Sequence, residues 1–182
     1  AEARAEYVLK GGAPESYRPT FTFFGFRFAR VAIEGNAEIT AIEMIPVSSA
    51  ITRTATFSSA NPLVNRLVEN PVWSQRSNFI EVPTDCPQRD ERLGWTGDIA
   101  VFAPTAAYLY GTAGMLTSWL RDLAADQHDG VVPLFVPHLD IMPPELPRWP
   151  VEAGWGDAAV VVPWVQHERF GDVDILRAQW PS

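Results

Sequence analysis

The sequence is poor in residues that cross-link chains or bind metals, with one cysteine and three histidines among 182 residues. The single thiol of Cys86 excludes an internal disulfide and a multi-cysteine zinc site, and it leaves the redox compartment open. With so few imidazole groups, a histidine-rich metal centre is disfavoured as well. We therefore expect neither a metal nor another cofactor.

Basic charge and long apolar runs are also scarce. The net charge is −8, from 14 basic and 22 acidic side chains without a basic stripe, so a nucleic acid would be repelled. No apolar run approaches the roughly 20 residues that span a bilayer, so no membrane partner is expected. What is present, 47% apolar and 20% charged residues, is typical of a globular domain.

The two ends lack the marks of a complete chain. The sequence starts without Met and without a basic-then-apolar leader, and it stops soon after a helical pattern has begun. We expect a fragment of a longer protein. Whether that protein is cytoplasmic, periplasmic or secreted stays open.

Residues 1–55 have the pattern of antiparallel strands. Alternating stretches at 7–10, 20–33 and 39–47 are separated by glycine turns. The phenylalanines of the middle stretch change phase beside Gly25, where a β-bulge would restore their facing, and we expect them in a sheet core. Too few strands are present to close a sandwich.

Residues 56–182 have the pattern of helices joined by long loops. Asn61 is a typical N-cap with Pro62 at the first helical position, and Pro71 should kink or interrupt the helix that follows. The amphipathic spacing around 116–123 predicts another helix. Further helices are predicted from Asp98, which can act as a cap, to Tyr110, from Ala158 to Arg169 and from Val173, with a proline-rich loop at 129–152.

Charge is concentrated between Asp85 and Asp98. These fourteen residues hold four carboxylates, two guanidiniums and one tryptophan. A solvated, ion-paired loop is the simplest interpretation of so many charges. A sugar site is favoured by Trp95, which stands in a loop with few core partners but could stack on a sugar face. Separated carboxyls and arginines, which make directional bonds to hydroxyls, also fit a glycosidase.

The segment PTDCPQRDERLGWTGD (residues 83–98) resembles the signature of bacterial α-L-rhamnosidases, the family 78 glycoside hydrolases. The flanking segments match in the same order. They are YVLKGG and FTFFGFRFARV upstream, NPLVNRLVENPVWSQRSNF between, and LRDLAADQHDGVVPLFVPH and GWGDAAVVVPW downstream. A sixteen-residue match with ordered flanks is far more specific than a short motif.

The resemblance implies a fold and an activity. The fold is mixed, with the C-terminal strands of an antiparallel β-sandwich in residues 1–55 and the N-terminal part of an (α/α)6 catalytic barrel in residues 56–182. The activity is hydrolysis, with inversion, of terminal α-L-rhamnosyl units on small molecules or oligosaccharides. The general base of the family is a glutamate further along the barrel, and nothing in this chain corresponds to it, so the remainder of the polypeptide is an expected partner.

The resemblance also implies roles for six residues. An inverting glycosidase protonates the leaving oxygen with one carboxylic acid, so the acid must hold a proton near neutral pH. Repulsion from neighbouring carboxylates would favour that proton and neighbouring arginines would oppose it. The general acid falls on Glu91, the sugar contacts on Asp85, Arg89 and Asp98, the stacking ring on Trp95, and a less certain pocket wall on Trp155.

Several alternatives stay open. Asp90 could be the acid in place of Glu91. The chain could belong to an (α/α)6-barrel hydrolase of another sugar, such as a glucan or trehalose hydrolase, or it could be a sugar-binding fragment without catalysis. Structural interpretations also stand beside functional ones: a packed thiol for Cys86, a structural hydrogen bond for His138, an N-cap for Asp157, and core positions for Trp73, Trp119 and Trp164.

Overall fold

A computed structural model describes residues 3–139 and 151–182 of the chain. Within these ranges it forms five helices and one short antiparallel hairpin. No described helix combines the length and apolarity that a membrane crossing requires. In chain order the elements are α1 (Pro62–Asn78), β1 (Phe79–Ile80), β2 (Val82–Pro83), α2 (Thr96–Leu109), α3 (Ala113–Asp126), α4 (Ala158–Phe170) and α5 (Val173–Gln179).

The helices predicted after residue 56 are confirmed, with corrections at their ends. Asn61 caps α1, because its side-chain oxygen accepts a hydrogen bond of 2.9 Å from the Leu63 N–H. Pro71 does not interrupt α1, which continues to Asn78 with only one backbone donor missing. Asp98 is not the cap of α2: the helix begins two residues earlier, at Thr96, and Asp98 lies in its first turn.

The core is built where α2, α3, α4 and α5 pack together. Apolar residues recur at helical spacing on α3, and Trp119, which was predicted to be core, is 1% exposed. Small residues on α2 allow α4 to approach closely, since an alanine side chain keeps the helix axes near each other. The buried cluster includes Ile99, Ala103, Ala106, Leu116, Leu120, Leu123, Ala158, Val162, Val165 and Ile175.

The strands predicted in residues 1–55 are not formed. None of residues 3–52 lies in a strand, and Phe28, which was expected in a sheet core, is 88% exposed. A strand needs a partner for its backbone N–H and C=O groups, and the described residues offer too few strands to supply one. The bulge expected at Gly25 is therefore absent, and Gly25 has a different neighbour, described below.

Several helix faces that should be buried are open. Trp73 on α1 and Trp164 on α4 were predicted to be core, but each is about half exposed. Leu63 and Leu67 on α1 are more exposed still. Among the described residues nothing covers these faces, and a helix with an uncovered apolar stripe requires a further layer for stability.

Residues 94–96 are paired with residues 134–136 in the manner of two antiparallel strands. The Val136 N–H donates to Gly94 O at 2.9 Å, and the Thr96 N–H donates to Leu134 O at 2.9 Å. The Trp119 indole then donates to Val136 O at 3.2 Å, which ties this pairing to the core. A Cβ atom built on Gly94 would collide with Val136 O, so the pairing requires glycine at position 94.

We predict that Gly94→Ala destabilises the protein by about 1–3 kcal/mol, because the added methyl forces the two segments apart. Calorimetric unfolding measures the effect. Gly114→Ala is the matched control, since no atom lies within 4 Å of a Cβ at that exposed helical position. Equal transition temperatures for the two variants would contradict the close approach.

Candidate active site

The most highly charged loop, residues 85–93, is closed at its base by backbone hydrogen bonds. The Asp85 N–H donates to Leu93 O at 3.2 Å, and just before it the Thr84 N–H donates to Asn78 O at the end of α1. Leu93 is buried, and the pairing of Gly94 with Val136 follows at once. The ends of this charged loop are therefore fixed to the helical core, while its charged side chains lie between them.

Three of the predicted site residues form a cluster of charges in the charged loop. A terminal nitrogen of Arg89 lies 3.9 Å from Asp85 Oδ2 and 3.7 Å from Glu91 Oε1. The Asp85 side chain is only 8% exposed, whereas that of Arg89 is mostly exposed. A buried carboxylate needs compensation for its lost hydration, and Arg89 supplies it by holding a positive charge between the two acids.

Glu91 is held by one short contact. Its Oε2 accepts a hydrogen bond of 2.9 Å from the Leu93 N–H, and its side chain is 30% exposed. The 3.7 Å separation between the Arg89 nitrogen and Oε1 exceeds hydrogen-bond length, so the arginine is near this oxygen without a direct hydrogen bond to it. The neighbouring Asp90, the alternative acid, is exposed.

Asp98 approaches this cluster from the first turn of α2. Asp85 and Asp98 line one cavity of about 210 Å³, together with Ser74, Gln75 and Asn78 of α1. Partial burial raises the pKa of Asp98, and repulsion by the Asp85 charge raises it further, while the Arg89 charge acts in the opposite direction. The cavity thus has two carboxyl groups whose negative charges repel each other.

The two tryptophans flank the start of α2. Trp95 was expected to have few core partners; it is partly buried and makes one T-shaped aromatic contact, with Phe135, at a centroid distance of 5.4 Å. The reason is the backbone pairing of residues 94–96, which brings the two rings to the same side of the chain. The Trp155 indole packs on Gly97, where a Cβ would lie 2.9 Å from the ring, so Trp155 is next to Asp98 in space.

Other singled-out residues have structural surroundings. Burial raises the pKa of the Cys86 thiol, and a hydrogen bond to Asp85 raises it further, so the thiol stays protonated. This agrees with the interpretation of Cys86 as a packed residue. The His138 ring stacks on Phe135, and its backbone N–H donates to Asp126. Asp157 occupies the N-cap position of α4 but makes no side-chain capping bond.

Sequence reasoning missed two features of this region. The cavity wall from α1 includes a buried Gln75, whose place on a largely polar helix gave no signal. The segment around Gly25 contacts the charged loop, a contact that only the folded chain shows. Among residues 3–139 and 151–182, no group of three or more His, Cys, Asp or Glu side chains is arranged to hold a metal ion.

Comparison with known proteins gives matches over the whole chain. Residues 52–182 match the family described as the bacterial alpha-L-rhamnosidase 6 hairpin glycosidase domain, and residues 1–49 match the bacterial alpha-L-rhamnosidase concanavalin-like domain. An alpha-L-rhamnosidase of Streptomyces avermitilis is 44% identical over 184 residues, which cover 100% of this chain and 17% of that protein. The chain thus spans less than a fifth of the length of this relative.

Solved structures of the same family are also similar to this chain. The crystal structure of native alfa-L-rhamnosidase from Aspergillus terreus has a TM-score of 0.67 and 46% identity, over 74% of this chain and 15% of that chain. The alpha-L-rhamnosidase of Streptomyces avermitilis complexed with L-rhamnose has a TM-score of 0.66 and 44% identity, over 74% of this chain and 12% of that chain.

These matches define the class of the helical part, which belongs to the family of the hairpin glycosidase domain. The chain belongs to the bacterial α-L-rhamnosidase family, and the resemblance noted in the sequence is confirmed.

We predict that two substitutions move the pKa of Asp98 in opposite directions. Asp85→Asn removes a repelling charge and should lower it, whereas Arg89→Gln removes an attracting charge and should raise it. Carboxyl ¹³C shifts of aspartate-labelled protein, followed through a pH titration, measure both. Shifts of the same sign in the two variants would show that these charges do not act on Asp98.

Proposed function

We propose that the full-length protein containing this chain is an α-L-rhamnosidase that removes terminal α-L-rhamnosyl residues with inversion. The observation that carries this proposal is the Asp85–Arg89–Glu91 cluster, formed within the segment whose sequence matches the rhamnosidase signature. A relative in this family has been solved with L-rhamnose bound, which supports the same sugar here.

The fold proposal follows the two family matches. Residues 1–55 are the C-terminal part of a β-sandwich module, and residues 56–182 are the first hairpins of an (α/α)6 barrel. The exposed apolar faces of α1 and α4 support this, because the remaining barrel helices would cover them. The lack of helix and strand in residues 3–52 fits strands whose pairing partners belong to another part of the polypeptide.

Sugar binding is assigned to the cavity that Asp85 and Asp98 line. Asp85 Oδ1 is buried without a hydrogen-bond partner among the described residues, as is Gln75 Oε1 in the same wall. A buried polar atom left without a bond costs about 1–3 kcal/mol. Hydroxyl groups of a sugar can donate to both atoms, so a polyol is a suitable occupant. Asp98 also lines this cavity. Arg89 does not line it, and its proposed sugar contact is made from the exposed side of Asp85.

The aromatic contacts come from either side of α2. Trp155 lies against Gly97, one residue from Asp98, and forms a wall for the apolar face and methyl group of a 6-deoxy sugar. Trp95 has one ring edge occupied by Phe135, and its stacking role uses the remaining surface. The Nε1 atoms of both tryptophans are donors without a partner among the described residues.

Glu91 is the proposed general acid. The Leu93 N–H fixes one oxygen, which leaves Oε1 to deliver the proton to the leaving oxygen of the glycoside. Arg89 lies 3.7 Å from Oε1 and also approaches Asp85, so the proposed acid is part of the same charge cluster. No cofactor takes part in the proposed reaction.

The second carboxylate of an inverting pair is proposed to lie outside residues 1–182. An inverting enzyme needs a base roughly 6.5–9.5 Å from the acid, on the opposite face of the sugar. The resemblance to rhamnosidases supports a glutamate further along the barrel as this base. The isolated chain would then bind sugar at most, and the partner that completes the site is the rest of the same polypeptide.

We predict that Glu91→Gln lowers kcat of the full-length enzyme on an alkyl α-L-rhamnoside by about 10²–10⁴-fold, because the leaving alkoxide loses its proton donor. The dissociation constant for L-rhamnose should change little. Asp90→Asn is the matched control, since it removes the adjacent exposed carboxylate, and it should retain most of the activity. A large loss in Asp90→Asn with a normal rate in Glu91→Gln would transfer the role of acid to Asp90.

We also predict the sugar specificity of the full-length enzyme. A panel of nitrophenyl glycosides should show cleavage of the α-L-rhamnoside and little cleavage of the glucosides. The reason is that the deoxy carbon of rhamnose fits an aromatic wall, where a hydroxymethyl group would leave a polar atom buried. Cleavage of a glucoside in preference to the rhamnoside would favour a hydrolase of another sugar.

A further inference from the structure

Three adjacent residues of the N-terminal part, Phe23, Phe24 and Gly25, contact the charged loop, and we call them the contact segment. Among the described residues 3–47, this is the only run of adjacent positions that is partly buried. Its neighbours Phe26 and Phe28 point into solvent. The contact is therefore confined to three residues in a segment that is otherwise mostly exposed.

One half of the contact fixes the beginning of the charged loop. The Gly25 N–H donates a hydrogen bond of 3.1 Å to Pro87 O. A Cβ at position 25 would lie 2.5 Å from the Pro87 carbonyl carbon and 2.6 Å from the Gln88 nitrogen, both of which are backbone atoms. Because backbone cannot move aside as a flexible side chain can, any residue other than glycine must push residues 87–88 away.

The other half fixes the end of the charged loop. The guanidinium carbon of Arg92 lies 4.6 Å from the centre of the Phe23 ring and 6.0 Å from that of Phe24, which are cation–π distances. Arg92 has a φ of 43°, a left-handed conformation that is uncommon for a side-chain-bearing residue and that needs support from its surroundings. The two phenylalanine rings provide that support.

In sequence, Glu91 lies between Pro87 and Arg92, the two residues that the contact segment touches. The hydrogen bond from the Leu93 N–H to Glu91 Oε2 joins the residues on either side of Arg92. The backbone conformation of Arg92 therefore determines the direction of the Glu91 carboxyl group. We propose that Phe23 and Gly25 are positioning residues: by holding Pro87 and Arg92, the contact segment orients Glu91 as proton donor. This inference rests on the proposed function and adds that residues before the helical domain determine the efficiency of proton transfer.

The leaving group of the substrate separates positioning of the acid from a general structural effect. A dinitrophenol leaves without protonation, whereas an alkyl alkoxide requires it, so a displaced acid slows only the second reaction. We expect Gly25→Ala and Phe23→Leu, made in the full-length enzyme, to lower kcat on an alkyl α-L-rhamnoside at least about tenfold. On a dinitrophenyl α-L-rhamnoside both variants should stay within about twofold of wild type, and KM should change little.

Matched variants complete the experiment. Phe28→Leu makes the same replacement at an exposed position of the same segment, and Gly114→Ala adds a methyl group where space is open. Neither should alter either rate. Glu91→Gln should show the same dependence on the leaving group as Gly25→Ala, but more strongly. If Gly25→Ala does not fold, Phe23→Leu alone decides the matter.

Two other outcomes would contradict the positioning role. Equal losses on both rhamnosides in Gly25→Ala and Phe23→Leu, or no loss in either variant, would overturn the positioning role while leaving the proposed function intact, provided that Glu91→Gln shows its leaving-group dependence. A wild-type enzyme that cleaves neither rhamnoside would overturn the proposed function and the positioning role together.

Discussion

The candidate site depends on the pairing of residues 94–96 with residues 134–136. Backbone hydrogen bonds at Gly94 and Thr96, together with the indole bond from Trp119, attach this pairing to the buried face of α3. The pairing brings Trp95 against Phe135 and starts α2 at Thr96, two residues before Asp98. These contacts attach the end of the charged loop to the core, while residues 88–90 at its centre are exposed.

The charged loop combines opposite requirements in a few residues. The proposed function requires carboxyl groups close enough to act on one sugar, yet like charges at such distances repel each other. Arg89 between Asp85 and Glu91 relieves that repulsion, and the Leu93 N–H adds a fixed donor for Glu91. Repulsion remains at Asp98, whose pKa is raised by burial and by the charge of Asp85. Such a balance suits a site that must keep one carboxyl protonated and another ionised.

The helical part was predictable from sequence, whereas the contacts of the N-terminal part were not. N-cap chemistry at Asn61 and the three-and-four spacing on α3 act locally, so they identify helices without knowledge of the fold. Strands depend on partners from distant sequence, and the alternating phenylalanines before residue 30 therefore predicted a sheet that the described residues do not form. The clustering of Asp85, Arg89 and Glu91 followed from their closeness in sequence. The approach of Gly25 to Pro87 spans more than sixty residues and left no local signal.

In the proposed mechanism, the charged loop holds Glu91 facing the leaving oxygen of a rhamnosyl unit. A crystal structure of the full-length protein with an uncleaved rhamnoside tests it most directly. We expect a sugar hydroxyl within hydrogen-bond distance of Asp85 Oδ1, with the Glu91 carboxyl directed at the glycosidic oxygen and the Leu93 N–H still bound to Oε2. A rhamnoside bound away from Asp85, or a Glu91 carboxyl turned from the glycosidic oxygen, would contradict it.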